Sequence, residues 1–81
     1  MIGGGQEEAE SRLPPPLGME LLRVQPAMIK LHDFVDIDGA WHPVINMVAA
    51  PGGRVLIFKN RPPQIVTGLI TISRKINYSI L

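Results

Sequence analysis

The 81-residue sequence predicts an all-β domain: a small, strongly curved antiparallel barrel of five to seven strands over residues 19–81, preceded by a disordered tail over residues 1–18. Three features predict it. Asp38-Gly39 and Pro51-Gly52-Gly53 are turn signals with β-prone runs on both sides. The apolar residues between the turns come in short alternating runs, with at most one turn of helix among them. A flat sheet made from such runs leaves one apolar face wet, whereas a closed sheet hides that face together with its edges.

The tail, MIGGGQEEAESRLPPPLG, combines a glycine run, an acidic run and a proline run and has little to bury. Its ordering entropy is therefore not recovered. Pro14-Pro15-Pro16 favours extended polyproline II, which suits a spacer. Such a run is also a ligand type for aromatic grooves, but a PxxP spacing is missing, so the spacer reading is preferred.

From Met19 the text changes. Leu21 to Val24 is a β-prone run stopped at Pro26, and Ala27 to Leu31 has room for one helical or 3₁₀ turn with proline at its start. Phe34 to Ile37 reads as a strand with Val35 and Ile37 on one face and Phe34 and Asp36 on the other. Asp38-Gly39 then suits a type I′ hairpin turn, which needs positive φ at both central residues. Ala40 to Ala49 reads as the return strand, with a bulge or an edge position at Pro43; a bulge lets Trp41 and Val44 both face inward. Arg54 to Lys59 follows as the next strand. Asn60 to Pro63 reads as a loop, because consecutive prolines donate nothing to a ladder. Gln64 to Thr67 and Leu69 to Ser73 are further β-prone runs about Gly68, and Lys75 to Leu81 alternates with Ile76, Tyr78 and Ile80 on one face. An exposed strand of that kind invites pairing with another chain.

The run V-D-I-D-G-x-W-x-x-V (Val35 to Val44), followed by G-G-R-V-x-I-x (Gly52 to Phe58), resembles the core hairpins of small SH3-like β-barrel modules over residues 21–67. The resemblance implies a binding module with no particular ligand, since barrels of this type bind peptides, nucleic acids or other subunits. Two departures stand out: His32-Asp33 occupies the place where such modules often carry glycine, and the C-terminal stretch exceeds a minimal barrel.

Composition excludes several classes. The absence of cysteine removes disulfides and thiolate metal sites, and a reducing, cytoplasmic setting is expected. The apolar stretches fall far short of the roughly 20 residues of a membrane-spanning helix, so no membrane association is expected. His32, Asp33, Asp36, Asp38 and His42 lie close in sequence, but their spacing matches neither a zinc site nor a calcium loop, and no metal or other cofactor is expected. A nucleophile elbow and a phosphate loop are both missing, so the chain is read as non-enzymatic, with no small-molecule substrate.

Two binding readings remain. In the first, the domain is an assembly module that binds another protein or itself, with Trp41, Phe58, Ile76, Tyr78 and Ile80 as anchors and the C-terminal strand adding to a partner's sheet. In the second, Arg54, Lys59, Arg61, Arg74 and Lys75 form a basic face for nucleic acid. Net charge is only +1, but all seven acids precede Gly39 and every ionised residue after it is basic. Whether that asymmetry survives depends on how folding interleaves the two halves. Protein binding is the preferred reading, because the basic residues are scattered along the chain.

Overall fold

The computed structural model describes residues 13–76; the expectations for Tyr78 and Ile80 lie outside that range. The fold is all-β. Among the described residues, seven strands, β1 (Met19–Val24), β2 (Phe34–Ile37), β3 (Ala40–Pro43), β4 (Asn46–Ala50), β5 (Gly53–Phe58), β6 (Arg61–Val66) and β7 (Ile70–Lys75), are joined by turns and one 3₁₀ turn over Pro26–Met28. They form two antiparallel sheets, a four-stranded one ordered β1-β7-β2-β3 and a three-stranded one ordered β4-β5-β6. Among the described residues the ladder does not run round a closed barrel; the two sheets face each other instead.

Local chemistry accounts for the hairpins. Ile37 pairs with Ala40, leaving Asp38 and Gly39 as a two-residue loop with φ of 54° and 86°, the type I′ geometry. The Asp36 carboxylate accepts the Gly39 N–H at 3.0 Å, which fixes the turn from inside the hairpin. Pro26 opens the 3₁₀ turn, where its missing N–H costs nothing. At Gly53 the constraint is one of space, because a β-carbon there would overlap the Val66 carbonyl of the neighbouring strand.

Three expectations are corrected. Pro62 and Pro63 lie within β6, not in a loop: among the described residues β6 borders β5 alone, and the two prolines fall where the register slips by one residue, between Leu56↔Gln64 and Phe58↔Arg61. The loop shrinks to Lys59-Asn60, with Asn60 at φ 60°. The expected strand Ala40 to Ala49 is two strands, and the chain leaves one sheet for the other at Val44-Ile45. Of the two expectations for Pro43, the edge position holds and the bulge does not: β3 is an outer strand of its sheet among the described residues, and its register with β2 is unbroken. Trp41 pairs with Asp36 and Pro43 with Phe34, so plain alternation puts Trp41 on the face opposite the buried Val44.

Val35, Ile37 and Ile72 of the larger sheet meet Leu56 and Phe58 of the smaller one, with Val44 from the corner and Ile29 from the loop after the 3₁₀ turn. Leu22, Val24, Met47, Val66 and Ile70 pack round this cluster. Phe58, expected as a contact anchor, is a core residue at 4% exposure.

The end of the core is closed by charge. Asp33 is 2% exposed, and its carboxylate accepts from Arg74 Nε at 2.8 Å, Arg74 Nη2 at 2.7 Å and the Lys30 N–H at 2.8 Å. Arg74 also donates to the Met28 carbonyl at 3.0 Å. One side chain of β7 thereby holds the whole loop between β1 and β2. Hydrogen bonding to Asp33 raises the Arg74 pKa above its ordinary value, against desolvation, which lowers it; the charges of Asp33 and Glu20 raise it further. His32 is in the left-handed region at φ 74°. Its N–H donates to the Val44 carbonyl, and the Val44 N–H to the Asp33 carbonyl, both at 2.8 Å.

Candidate functional site

The outer face of the four-stranded sheet holds the most constrained surface arrangement. Side chains directly opposite one another in a ladder share a face, so Trp41 and Asp36, Pro43 and Phe34, Ser73 and Leu21 all point away from the core. Across this face runs residues 13–18. Trp41 Nε1 donates to the Pro14 carbonyl at 2.8 Å, which ties one end of the segment to β3. At the other end Pro16 accepts the Met19 N–H at 3.0 Å with Gly18 at φ 82°, the arrangement of a type II turn, and Gly18 accepts the Ile76 N–H at 3.1 Å.

Proline restrains its own φ and drives the residue before it to extended backbone, so Leu13 to Pro16 is held in that form by sequence alone. Pro15 and Pro16 are half-buried, and Ser73 in the middle of the crossed face is fully buried. That burial requires a cover on the outer side, the side on which Trp41 ties down residues 13–18 as a strap. The Ser73 hydroxyl finds no hydrogen-bond partner among the described residues.

The strap was not legible as such in the sequence, where the proline run read as a spacer. One signal pointed to it: a lone tryptophan whose indole N–H needs an acceptor once half-buried.

Beside the strap's end lies an open groove of about 470 Å³ with walls from Leu17, Leu31 and Phe34, a rim of Lys30, His32 and Lys75, and the Asp33–Arg74 pair at its base. Both Asp33 oxygens already accept hydrogen bonds, from Arg74 and from the Lys30 N–H.

The five basic residues expected to form one face are divided. Arg74 pairs with Asp33, Arg61 with Asp38 at 3.0 Å, and Arg54 donates to the Ile29 carbonyl at 3.2 Å beside the Met47 sulfur. Lys59 is exposed in the β5–β6 turn, and Lys75 is exposed at the end of β7. Both ion pairs join a base of the second half of the chain to an acid of the first, so folding interleaves the charges. Of the residues close in sequence that could have shared a metal, Asp33, Asp36 and Asp38 are turned to three different partners. Among the described residues no three His, Asp or Glu side chains converge.

The smaller sheet has an apolar outer face as well. Val48, Val55 and Ile65 stand opposite one another across β4, β5 and β6, with Val48 53% and Ile65 71% exposed. Its β4 edge carries neither charge nor proline, and the Met47 N–H there is met by the Asn46 side-chain oxygen at 2.8 Å. Among the described residues, no helix is long and apolar enough to cross a membrane. No family model, curated protein or solved structure matches this chain.

Proposed function

We propose that this chain is a non-enzymatic assembly module of the small SH3-like type that binds a second copy of itself by strand addition. The chain's corner at Val44-Ile45, with two short sheets on either side of it, supports the SH3-like reading. The single observation that carries assembly is the β4 edge. Strand addition needs an unpaired ladder: β7 has a neighbour on each side at Ile72 and Ser73, β6 carries Pro62-Pro63, β3 carries Pro43, and β1 carries Glu20 and Arg23. Such features blunt an edge, and β4, Asn46–Ala50, has none of them. Two β4 strands paired antiparallel about a two-fold axis would continue the Val48–Val55–Ile65 stripe across six strands. Nucleic-acid binding is the weaker reading, because three of the five expected contacts are already engaged within the chain.

Sedimentation equilibrium at low and high salt, with and without a mixed oligonucleotide, tests this. The expected result is a dimer that persists at high salt and becomes a monomer on Val48→Lys, which places a charge on the open edge. A monomeric wild-type chain, or a dimer indifferent to Val48→Lys, overturns the β4 interface. Oligonucleotide binding that falls steeply with salt would put the nucleic-acid reading in its place. Deleting residues 77–81 asks separately whether the C-terminal stretch contributes to the dimer; a monomer on that deletion would move the interface there and overturn the β4 assignment.

A further inference from the structure

We propose that the groove beside the strap's end binds free aliphatic carboxylates of medium chain length, with the hydrocarbon against Leu17, Leu31 and Phe34 and the carboxylate between Lys30 and Lys75. The site is built from the four-stranded sheet and the loop before β2, so it is independent of the β4 interface on the other sheet.

A volume of about 470 Å³ is within the range of sites for small organic ligands. Leu17 and Leu31 line one concavity and are both exposed, so apolar area there is wet in the free chain and its coverage is favourable. The charge around them has one sign. Lys30, His32 and Lys75 are exposed on the rim, and among the described residues the one acid lining the groove, Asp33, is already neutralised by Arg74. An anion is therefore drawn in. The Arg74 fork is held by Asp33 and the Met28 carbonyl, which assigns the anionic head to the ammonium groups of Lys30 and Lys75. A nucleotide or sugar phosphate fits poorly, because its polar body would exchange water for Leu17, Leu31 and Phe34. One small charged head on a hydrocarbon body meets both halves of the groove. The walls are also fixed in advance. The Lys30 N–H donates to Asp33 and the His32 N–H to the Val44 carbonyl, both at 2.8 Å, so the loop is anchored on either side of Leu31. Opposite, the Gly18 carbonyl accepts the Ile76 N–H at 3.1 Å, next to Leu17. A site ordered beforehand has less entropy to lose on binding. The lining residues come from 17–19, 30–34 and 74–75, three separate stretches, so no sequence motif announces them.

Isothermal titration calorimetry of the full chain with sodium hexanoate, octanoate and decanoate, each below its micellar concentration, tests this. Every added methylene should tighten binding about two- to fourfold while it lies against the walls. Octanol, which lacks the charge, and acetate, which lacks the body, should both bind more weakly than octanoate, and the double variant Lys30→Gln/Lys75→Gln should lose about tenfold in octanoate affinity. Leu31→Glu, a change at an exposed position, places an acid among the walls and should abolish binding. Should that variant fail to fold, Leu17→Ser provides the second arm, with a loss of about tenfold, because Leu17 is fully exposed and its removal leaves the core intact. An affinity indifferent to chain length, octanol equal to octanoate, or full binding by Leu31→Glu or, in its place, Leu17→Ser overturns the proposal. So does a chain that binds phosphatidylglycerol vesicles and ignores the free carboxylates, which would make this face a membrane contact. A chain that takes up octanoate only when it ends at Ile76 also overturns it, since residues 77–81 would then be the occupant.

Discussion

Replacing Arg74 by methionine removes the cation from a carboxylate that is almost wholly shielded from water. Asp33 is 2% exposed and accepts three hydrogen bonds, two of them from the Arg74 fork. Methionine preserves much of the side-chain volume and leaves only the Lys30 N–H on the charge. Breaking a buried ion pair from one side costs about 3–5 kcal/mol, because the remaining charge stays desolvated. A small domain has roughly 5 kcal/mol in total at the lower end of the usual range, so most of the stability is at stake. With a urea slope near 1 kcal/mol per molar, typical of short chains, the unfolding midpoint should fall by about 3–5 M, followed by Trp41 emission. Arg74→Lys keeps the charge without the planar fork and should cost about 1.5–3 kcal/mol. The double variant Asp33→Ala/Arg74→Met, with neither charge, should cost at least about 2 kcal/mol less than the two single losses added together. An Arg74→Met chain within about 1 kcal/mol of the parent, or a double variant that is simply additive, would refute the view that this pair holds the end of the core together.

Other substitutions test individual contacts. Gly53→Ala sets a β-carbon against the Val66 carbonyl, and the β5–β6 ladder must shift to admit it; a loss of more than about 2 kcal/mol in thermal unfolding is expected. Ser73→Ala removes a buried hydroxyl that has no partner among the described residues, and should raise the melting temperature by a few degrees, corresponding to roughly 1 kcal/mol. His32→Gly relieves the left-handed backbone at φ 74° and should leave stability unchanged or improve it by up to about 1 kcal/mol, whereas His32→Val at the same site should cost more than that in chemical denaturation.

The asymmetry of charge along the sequence illustrates how far composition carries an argument. Acids before Gly39 and bases after it suggested a one-sided field. The antiparallel return of β7 between β1 and β2 instead brings Arg74 back to Asp33, and the β5–β6 turn brings Arg61 back to Asp38. The second of these lies on the surface, where such a pair contributes at most about 1 kcal/mol. Its main consequence is electrostatic, since it removes a cation from any face that nucleic acid could use.

What the sequence determined by itself is local. The Asp38-Gly39 turn, the 3₁₀ turn after Pro26, the alternation of Val35 and Ile37 and the extended form of Leu13 to Pro16 all follow from steric preferences within a few residues, and these act before any distant contact forms. Tertiary structure alone decided which strands are neighbours. Pro62-Pro63 is compatible with a strand only because β6 ends up at an edge, and Trp41 finds an acceptor only because a segment 27 residues earlier crosses its face. Asp33 and Arg74, 41 residues apart, meet because β7 enters between β1 and β2. Such pairings rest on burying a shared apolar face and closing long loops, and those energies belong to the assembled sheets, with no counterpart in any single stretch of chain.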